Sequence, residues 1–180
     1  MDLRIERTRK SIINAFIELR SKKPIEKITV KELAELAYIN KATFYSHYND
    51  IYDLSEQIEN EVISSVVAGI RDTEKFITNP KEGTDELFDA FWAKNSLLNI
   101  LFSGSRAYVF SQKMEKILKE HIFKTYPEYQ EDLEKNILFS VLIQGCFRAY
   151  LYYSEDNRDE VIRIIGNINN CLLNEYTPIK

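Results

Sequence analysis

The densest run of hydrogen-bonding side chains is residues 40–50, NKATFYSHYND. It combines short hydroxyl and amide side chains, a lysine and a histidine with three aromatic rings, and it is too short to form a core of its own. Such groups suit contacts to phosphates and to base edges. In a helix of about 100° per residue, Phe44 and Tyr48 fall within about 40° of each other and form an apolar side. The remaining residues face away from that side or flank it, namely Lys41, Ala42, Thr43, Tyr45, Ser46 and His47.

Two capping patterns frame this run. Thr29 and Glu32 have the spacing of a capping box, which opens a helix. Asn40 is a good N-cap for a second helix over residues 41–48. A capped helix, a three-residue turn and a short second helix predict a helix-turn-helix, whose second helix would enter the major groove of DNA. The alternative is a helix pair with a purely structural role.

Charge is unevenly distributed along the chain. Residues 3–48 carry ten basic and five acidic side chains, whereas the whole chain has a net charge of −4. A basic front on an acidic body favours a polyanionic partner for the front. Ordinary solvated surface charge is the other interpretation.

Apolar residues recur at helical spacing almost throughout, and glycine and proline are scarce. This pattern predicts an all-α fold. We expect a three-helix helix-turn-helix domain over residues 1–50 and a helical domain over residues 51–180, joined by a long helix over 51–77. Further predictions are a loop at 80–83, helices that begin at Thr84 and end near 125, a helix over 128–153 and a last helix that Asn157 and Glu160 open as a second capping box.

Residues 29–54, TVKELAELAYINKATFYSHYNDIYDL, resemble the DNA-binding domain of the tetracycline-repressor (TetR) family, and with the first helix the resemblance covers about residues 5–55. The positions that carry it are Thr29, Val30, Leu33, Ala34, Ala37, Ile39, Asn40, Thr43, Phe44, Tyr45, His47, Tyr48, Asp53 and Leu54. Two positions depart from the family pattern. Tyr38 stands where the family usually has a turn glycine, and Ile51 stands where many members have a phosphate-binding lysine.

The resemblance implies a set of DNA-binding residues. Thr29 and Tyr45 would bind phosphates, helped by Thr43 and His47. The residues nearest to base edges would be Lys41, Ala42 and Ser46, with Asn40 at the start of the same helix. The implied partner is double-stranded DNA with a palindromic operator.

The C-terminal half is rich in aromatic residues. One interpretation is a pocket for a small apolar or aromatic effector, which the family resemblance favours, and the other is an ordinary core. The candidate pocket residues are Phe88, Phe91, Trp92, Phe110 and Tyr150.

The helix over residues 137–153 is apolar nearly all round, so it must be buried nearly all round. One side would face the core and the other a second subunit, which predicts a homodimer. The alternative is the central helix of a monomeric bundle. The candidate dimer residues are Leu138, Val141, Gly145, Ala149 and Tyr152. The two cysteines, Cys146 and Cys171, are expected to be small buried hydrophobic residues.

Several functional classes are not indicated. The chain has only two histidines and lacks HExxH, GxSxG and a glycine-rich phosphate loop, so an enzyme is not expected. No metal-ligand spacing occurs, and we expect neither a metal nor a cofactor. No apolar run approaches the ~20 residues that span a bilayer, and the N-terminus does not resemble a signal peptide, so we expect a cytoplasmic protein without a membrane partner.

Taken together, these patterns predict a homodimeric transcriptional regulator, most simply a repressor that a small apolar or aromatic effector releases from its operator. The alternative is a TetR-like DNA-binding protein without a small ligand that acts through a protein partner.

Overall fold

The computed structural model describes residues 3–177, and every regular element in that range is helical, which confirms the all-α fold class. Short 3₁₀ turns lie at Ile25–Lys27, Gly104–Arg106 and Pro127–Tyr129. The helices in chain order are α1 Leu3–Arg20, α2 Val30–Leu36, α3 Lys41–Tyr45, α4 Ile51–Ala68, α5 Lys75–Thr78, α6 Pro80–Trp92, α7 Asn95–Leu101, α8 Ala107–Thr125 and α9 Leu133–Tyr176.

The described chain divides into two compact units. Residues 3–62 and 95–107 form the first unit, and residues 63–94 and 108–177 form the second. This division differs from the expected one at residue 50, because the first part of α4 and all of α7 belong with the N-terminal helices.

The core of the first unit is built where helices α1, α2, α3 and α7 meet. Helix α1 contacts both α2 and α7, and α2 contacts α3. Apolar residues four positions apart on α1 supply one wall, as its helical periodicity requires. The apolar side chains with no or almost no exposed surface in this unit are Ile12, Phe16, Ile25, Leu33, Phe44, Leu54 and Leu101.

Two arginines explain why residues 95–107 belong to the first unit. Arg20 is buried and donates hydrogen bonds to the Leu101 carbonyl at 3.1 Å and to Ser103 Oγ at 3.0 Å. The guanidinium of Arg106 binds the carboxylate of Glu59 through Nε at 3.0 Å and Nη2 at 2.5 Å. Because buried charges must be paired, these contacts hold α7 and the turn after it against the rest of the unit.

In the second unit, α6 packs along α9 and α5 packs on α6. A Cβ added to Gly83 would lie 2.9 Å from the backbone of Lys75 and Phe76, so α5 and α6 approach each other where only glycine fits. Phe88 stacks on Tyr150 with ring centroids 4.3 Å apart. Phe91, Phe110 and Phe147 complete this buried aromatic cluster.

Several predicted boundaries need correction. Helix α4 ends at Ala68, so the predicted long helix over 51–77 is wrong. The predicted loop at 80–83 and the helix start at Thr84 are also wrong, because α6 begins at Pro80. Proline is favoured in a first helical turn, where its missing N–H costs nothing. Helix α9 begins at Leu133, not near residue 128, and continues to Tyr176, with one non-helical residue at Asn157, the predicted cap of the last helix.

Candidate nucleic-acid interface

Helix α2 begins at the predicted cap. Thr29 has extended backbone angles, and its hydroxyl accepts a hydrogen bond from the Glu32 amide at 3.3 Å. The Glu32 carboxylate forms an ion pair with Lys23, so it does not serve as the second half of the predicted capping box. Thr29 remains exposed beside this cap.

The turn between α2 and α3 has the hydrogen bonds of a Schellman motif. The Ile39 amide donates to the Ala34 carbonyl at 3.0 Å, and the Tyr38 amide donates to the Glu35 carbonyl at 3.3 Å. Tyr38 adopts the left-handed conformation, with φ of 56°. This is the conformation that favours glycine at the end of a helix. The Ala37 carbonyl also accepts a hydrogen bond from Ser11 of α1 at 2.8 Å, which ties the turn to the first helix.

Helix α3 is capped by Asn40, as predicted. Its Oδ1 accepts hydrogen bonds from the amide of Thr43 at 2.7 Å and from the Thr43 hydroxyl at 3.1 Å. The helix is shorter than expected and ends at Tyr45, with Ser46 as its C-cap. The Ser46 hydroxyl donates to the Thr43 carbonyl at 2.7 Å. The Ser46 hydroxyl therefore competes for a backbone carbonyl at the end of this short helix, which favours an early stop.

Helix α3 has a buried side and an exposed side. Phe44 and Tyr48 are buried, with ring centroids 5.8 Å apart, which confirms their predicted place in the core. Burial raises the pKa of the Tyr48 phenol. Thr43 and His47 are half-buried, and the His47 ring lies 6.2 Å from that of Tyr48. The predicted DNA-binding residues that are exposed are Thr29, Asn40, Lys41, Ala42, Tyr45 and Ser46.

The start of α4 is fixed by two carboxylates. Asp50 accepts hydrogen bonds from the amides of Tyr52 and Asp53, and Asp53 accepts hydrogen bonds from the backbone and side chain of Asn49. The backbone bond from Asn49 is the main reason that the pKa of Asp53 lies below its usual value. Ile51 is only 6% exposed, so it serves as a core residue.

The predicted effector residues lie together only in part. A cavity of about 50 Å³ lies within the second unit, and Phe88 is the one candidate residue among those that line it. Phe91, Phe110 and Tyr150 pack against Phe88 and Phe147 as core. Trp92 does not line the cavity, because it is half exposed and its ring lies 5.2 Å from the guanidinium of Arg158.

Sequence patterns did not reveal the polar wall of this cavity. Asn169 donates a hydrogen bond to Thr84 Oγ1 at 2.9 Å and accepts one from Cys146 Sγ at 3.2 Å. Burial raises the pKa of the Cys146 thiol to about 11, so this group is neutral at physiological pH. The three residues are distant in sequence, and none belongs to a motif. Cys171 is exposed, so its predicted burial is wrong.

The predicted dimer residues lie on α9 but not all on one exposed face. Leu138 is buried in a core cluster with Ile77, Ile122 and Leu142, so its assignment to a dimer surface needs correction. Ala149 is half-buried. The exposed apolar face of the first half of α9, called here the α9 face, consists of Leu133, Ile137, Val141, Gly145 and Tyr152. Around the helix axis, the centre of the α9 face lies roughly 50° from the centre of the predicted dimer residues, which is half of the ~100° between successive residues.

Comparison with models of known protein families finds no match, and comparison with curated proteins finds none either. Among the described residues, no helix has both the length and the apolar character needed to cross a membrane. The same residues contain no cluster of three or more histidine, cysteine or carboxylate side chains suited to a metal ion.

Proposed function

We propose that this protein is a DNA-binding transcriptional regulator that uses α2 and α3 as a helix-turn-helix. The observation that carries this proposal is the division of residues 40–48 between Phe44 and Tyr48, which hold α3 against the core, and a small polar face that remains exposed. The apolar residues attach this short helix to the core, and its hydrogen-bonding groups remain exposed to a partner. The net positive charge of residues 3–48 favours a polyanion as that partner.

The exposed groups suit different parts of a duplex. The hydroxyls of Thr29 and Tyr45 can donate to phosphate oxygens, as tyrosine and threonine commonly do in protein–DNA complexes. The ammonium group of Lys41 can donate to guanine O6 and N7, and the Ser46 hydroxyl still has acceptor capacity. Ala42 has too small a side chain to keep the helix away from the floor of the groove.

We propose further that the active form is a homodimer on a palindromic operator. The support is the α9 face, where Leu133, Val141 and Tyr152 are each more than half exposed within one chain. Exposed apolar residues at helical spacing indicate an interaction surface. A two-fold dimer through this face would present two copies of α3 to half-sites separated by about one helical turn, roughly 34 Å, or a multiple of it.

The cavity in the second unit is too small for the proposed effector as it stands. A cavity of about 50 Å³ is well below the roughly 150 Å³ of an engineered cavity that binds benzene. An apolar effector must therefore displace side chains such as Phe88 or Leu118 from the cavity wall. This constraint favours the alternative regulator, which has no small ligand and acts through a protein partner.

The DNA-binding proposal is tested by substitutions on the exposed side of α3. Lys41→Ala and Ser46→Ala are expected to change the sequences that the protein selects from a random duplex pool, whereas Tyr45→Phe is expected to weaken binding to all duplexes about equally. Lys116→Ala, a substitution of an exposed lysine on α8, serves as the control of equal charge. If the Lys41 and Lys116 variants behave identically, α3 is not the DNA-reading helix.

A further inference from the structure

Tyr38 combines a left-handed backbone with an almost fully exposed side chain. Among residues 3–177, it is the one residue other than glycine with a positive φ. Its side chain is 94% exposed, the highest value among the large exposed hydrophobic residues. The ring therefore gains almost nothing from contacts within its own chain.

The turn itself does not require a tyrosine. Its hydrogen bonds, from the amides of Tyr38 and Ile39, involve backbone atoms and would form equally well with glycine. A Cβ in the left-handed region is crowded by the backbone, so any residue other than glycine destabilises this turn. Asparagine and aspartate tolerate the region better than an aromatic residue does. Residues held in such conformations are concentrated at functional sites.

The position of Tyr38 points to a specific role. It lies two residues before Asn40, the cap of α3, and three residues before the exposed Lys41. A tyrosine side chain offers an apolar ring together with a hydroxyl that can donate a hydrogen bond. The edge of a DNA groove offers the matching pair, an apolar deoxyribose beside a phosphate oxygen.

We infer that Tyr38 is a DNA-backbone contact that sets the position of α3 in the groove, an inference that rests on the proposed DNA-binding function. Its ring packs on a deoxyribose at the groove edge, and its hydroxyl donates to the adjacent phosphate. Because the contact is to the backbone, it adds affinity without sequence preference. Because tyrosine is neutral, it displaces no counterion and leaves the salt dependence of binding unchanged.

The test compares the wild-type protein with Tyr38→Gly and Tyr38→Phe on a pool of random duplexes of about 30 base pairs, roughly three helical turns. Tyr38→Gly is expected to raise Tm by about 2 to 4 °C, because glycine adopts the left-handed conformation without strain. The same substitution is expected to weaken DNA binding about tenfold, because the ring and the hydroxyl are lost. Tyr38→Phe is expected to leave Tm unchanged and to lose the part of the affinity that the hydroxyl provides. Lys41→Ala is the contrast, because loss of a base contact also changes the sequence preference, whereas loss of a backbone contact does not.

The results of this experiment distinguish a failure of the Tyr38 contact from a failure of the proposed DNA-binding function. A more stable Tyr38→Gly protein that binds DNA as tightly as the wild type would overturn the contact while leaving the DNA-binding proposal intact. A lower Tm for Tyr38→Gly would overturn the argument that the tyrosine strains the turn. A wild-type protein that retains no duplex at low salt would overturn the DNA-binding proposal and this inference with it.

Discussion

The buried carboxylate of Glu59 is bound by Arg106, so loss of the Arg106 guanidinium is expected to destabilise the protein strongly. Glu59 has no exposed surface and binds the Arg106 guanidinium through two hydrogen bonds. It also accepts a hydrogen bond from the Ser55 hydroxyl at 2.9 Å. Arg106→Met keeps much of the side-chain volume but removes the guanidinium, so the carboxylate stays buried and loses two charge-assisted hydrogen bonds.

The expected cost of this substitution is large. Removal of one partner of a buried ion pair destabilises proteins by about 3–5 kcal/mol. The free energy of unfolding of a domain is typically about 5–15 kcal/mol, so Arg106→Met is expected to remove about a fifth or more of it. Replacing both partners is much less harmful, because the buried carboxylate is removed together with the guanidinium that binds it. The double variant Glu59→Met/Arg106→Met is therefore expected to recover most of the loss.

Urea unfolding followed by circular dichroism measures these differences, at one fixed protein concentration because a dimer would make stability depend on concentration. The matched control is Arg163→Met, which breaks the pair with Glu160, in which both side chains are 56% exposed. Such a surface pair contributes about 0–1 kcal/mol. If Arg106→Met costs no more than Arg163→Met, or if the double variant is as unstable as the single one, the buried-pair argument fails.

Two further predictions concern the second unit. Gly83→Ala is expected to lower the free energy of unfolding in urea by about 1–3 kcal/mol, because the new methyl group meets the α5 backbone. The control is Asp85→Ala on the exposed side of α6, which should change stability little. Equal losses of stability in the two variants would contradict the close approach of α5 and α6. Val141→Glu should give a monomer by sedimentation, because a charged side chain on the α9 face opposes burial of that face against a second subunit. In both proteins a thiol reagent at pH 8 should label the exposed Cys171, whereas Cys146, with a pKa of about 11, should stay unreactive because most of its thiol is protonated at that pH. A wild-type protein that already sediments as a monomer would contradict the dimer proposal.

Local features of the fold were predictable from the sequence. The caps at Thr29 and Asn40 depend on side chains within three residues of the amides they bind, and such spacing is visible in the sequence. The burial of Phe44 and Tyr48 follows from helical periodicity in the same way.

Features that depend on distant residues were not predictable. The place of α7 in the first unit depends on contacts from Arg20, more than 80 positions away. The start of α6 at Pro80 was missed because proline and Gly83 also occur in loops, and only the approach of α5 shows why this glycine is helical. The predicted dimer surface on α9 is rotated roughly 50° around the helix axis from the α9 face. On a helix that is apolar nearly all round, periodicity alone does not distinguish the buried from the exposed side.

The same limit applies to the candidate sites. The exposed side of α3 could be predicted because its polar residues lie within one short segment. The cavity could not, because its polar wall joins Thr84, Cys146 and Asn169 across three parts of the chain. Counting aromatic residues identified the core cluster around Phe88 instead of the cavity lining.

The central claim, that α3 and the basic segment over residues 3–48 bind DNA, is tested most directly by the salt dependence of duplex binding. Fluorescence anisotropy would follow the binding of a labelled duplex, selected from a random pool, as salt is raised from about 50 to 200 mM. A protein with six or more phosphate contacts should lose about a thousandfold or more in affinity over that range, with log K falling linearly against log salt. Affinity that does not change with salt, or failure to retain any duplex at the lowest salt concentration, would contradict the proposed function.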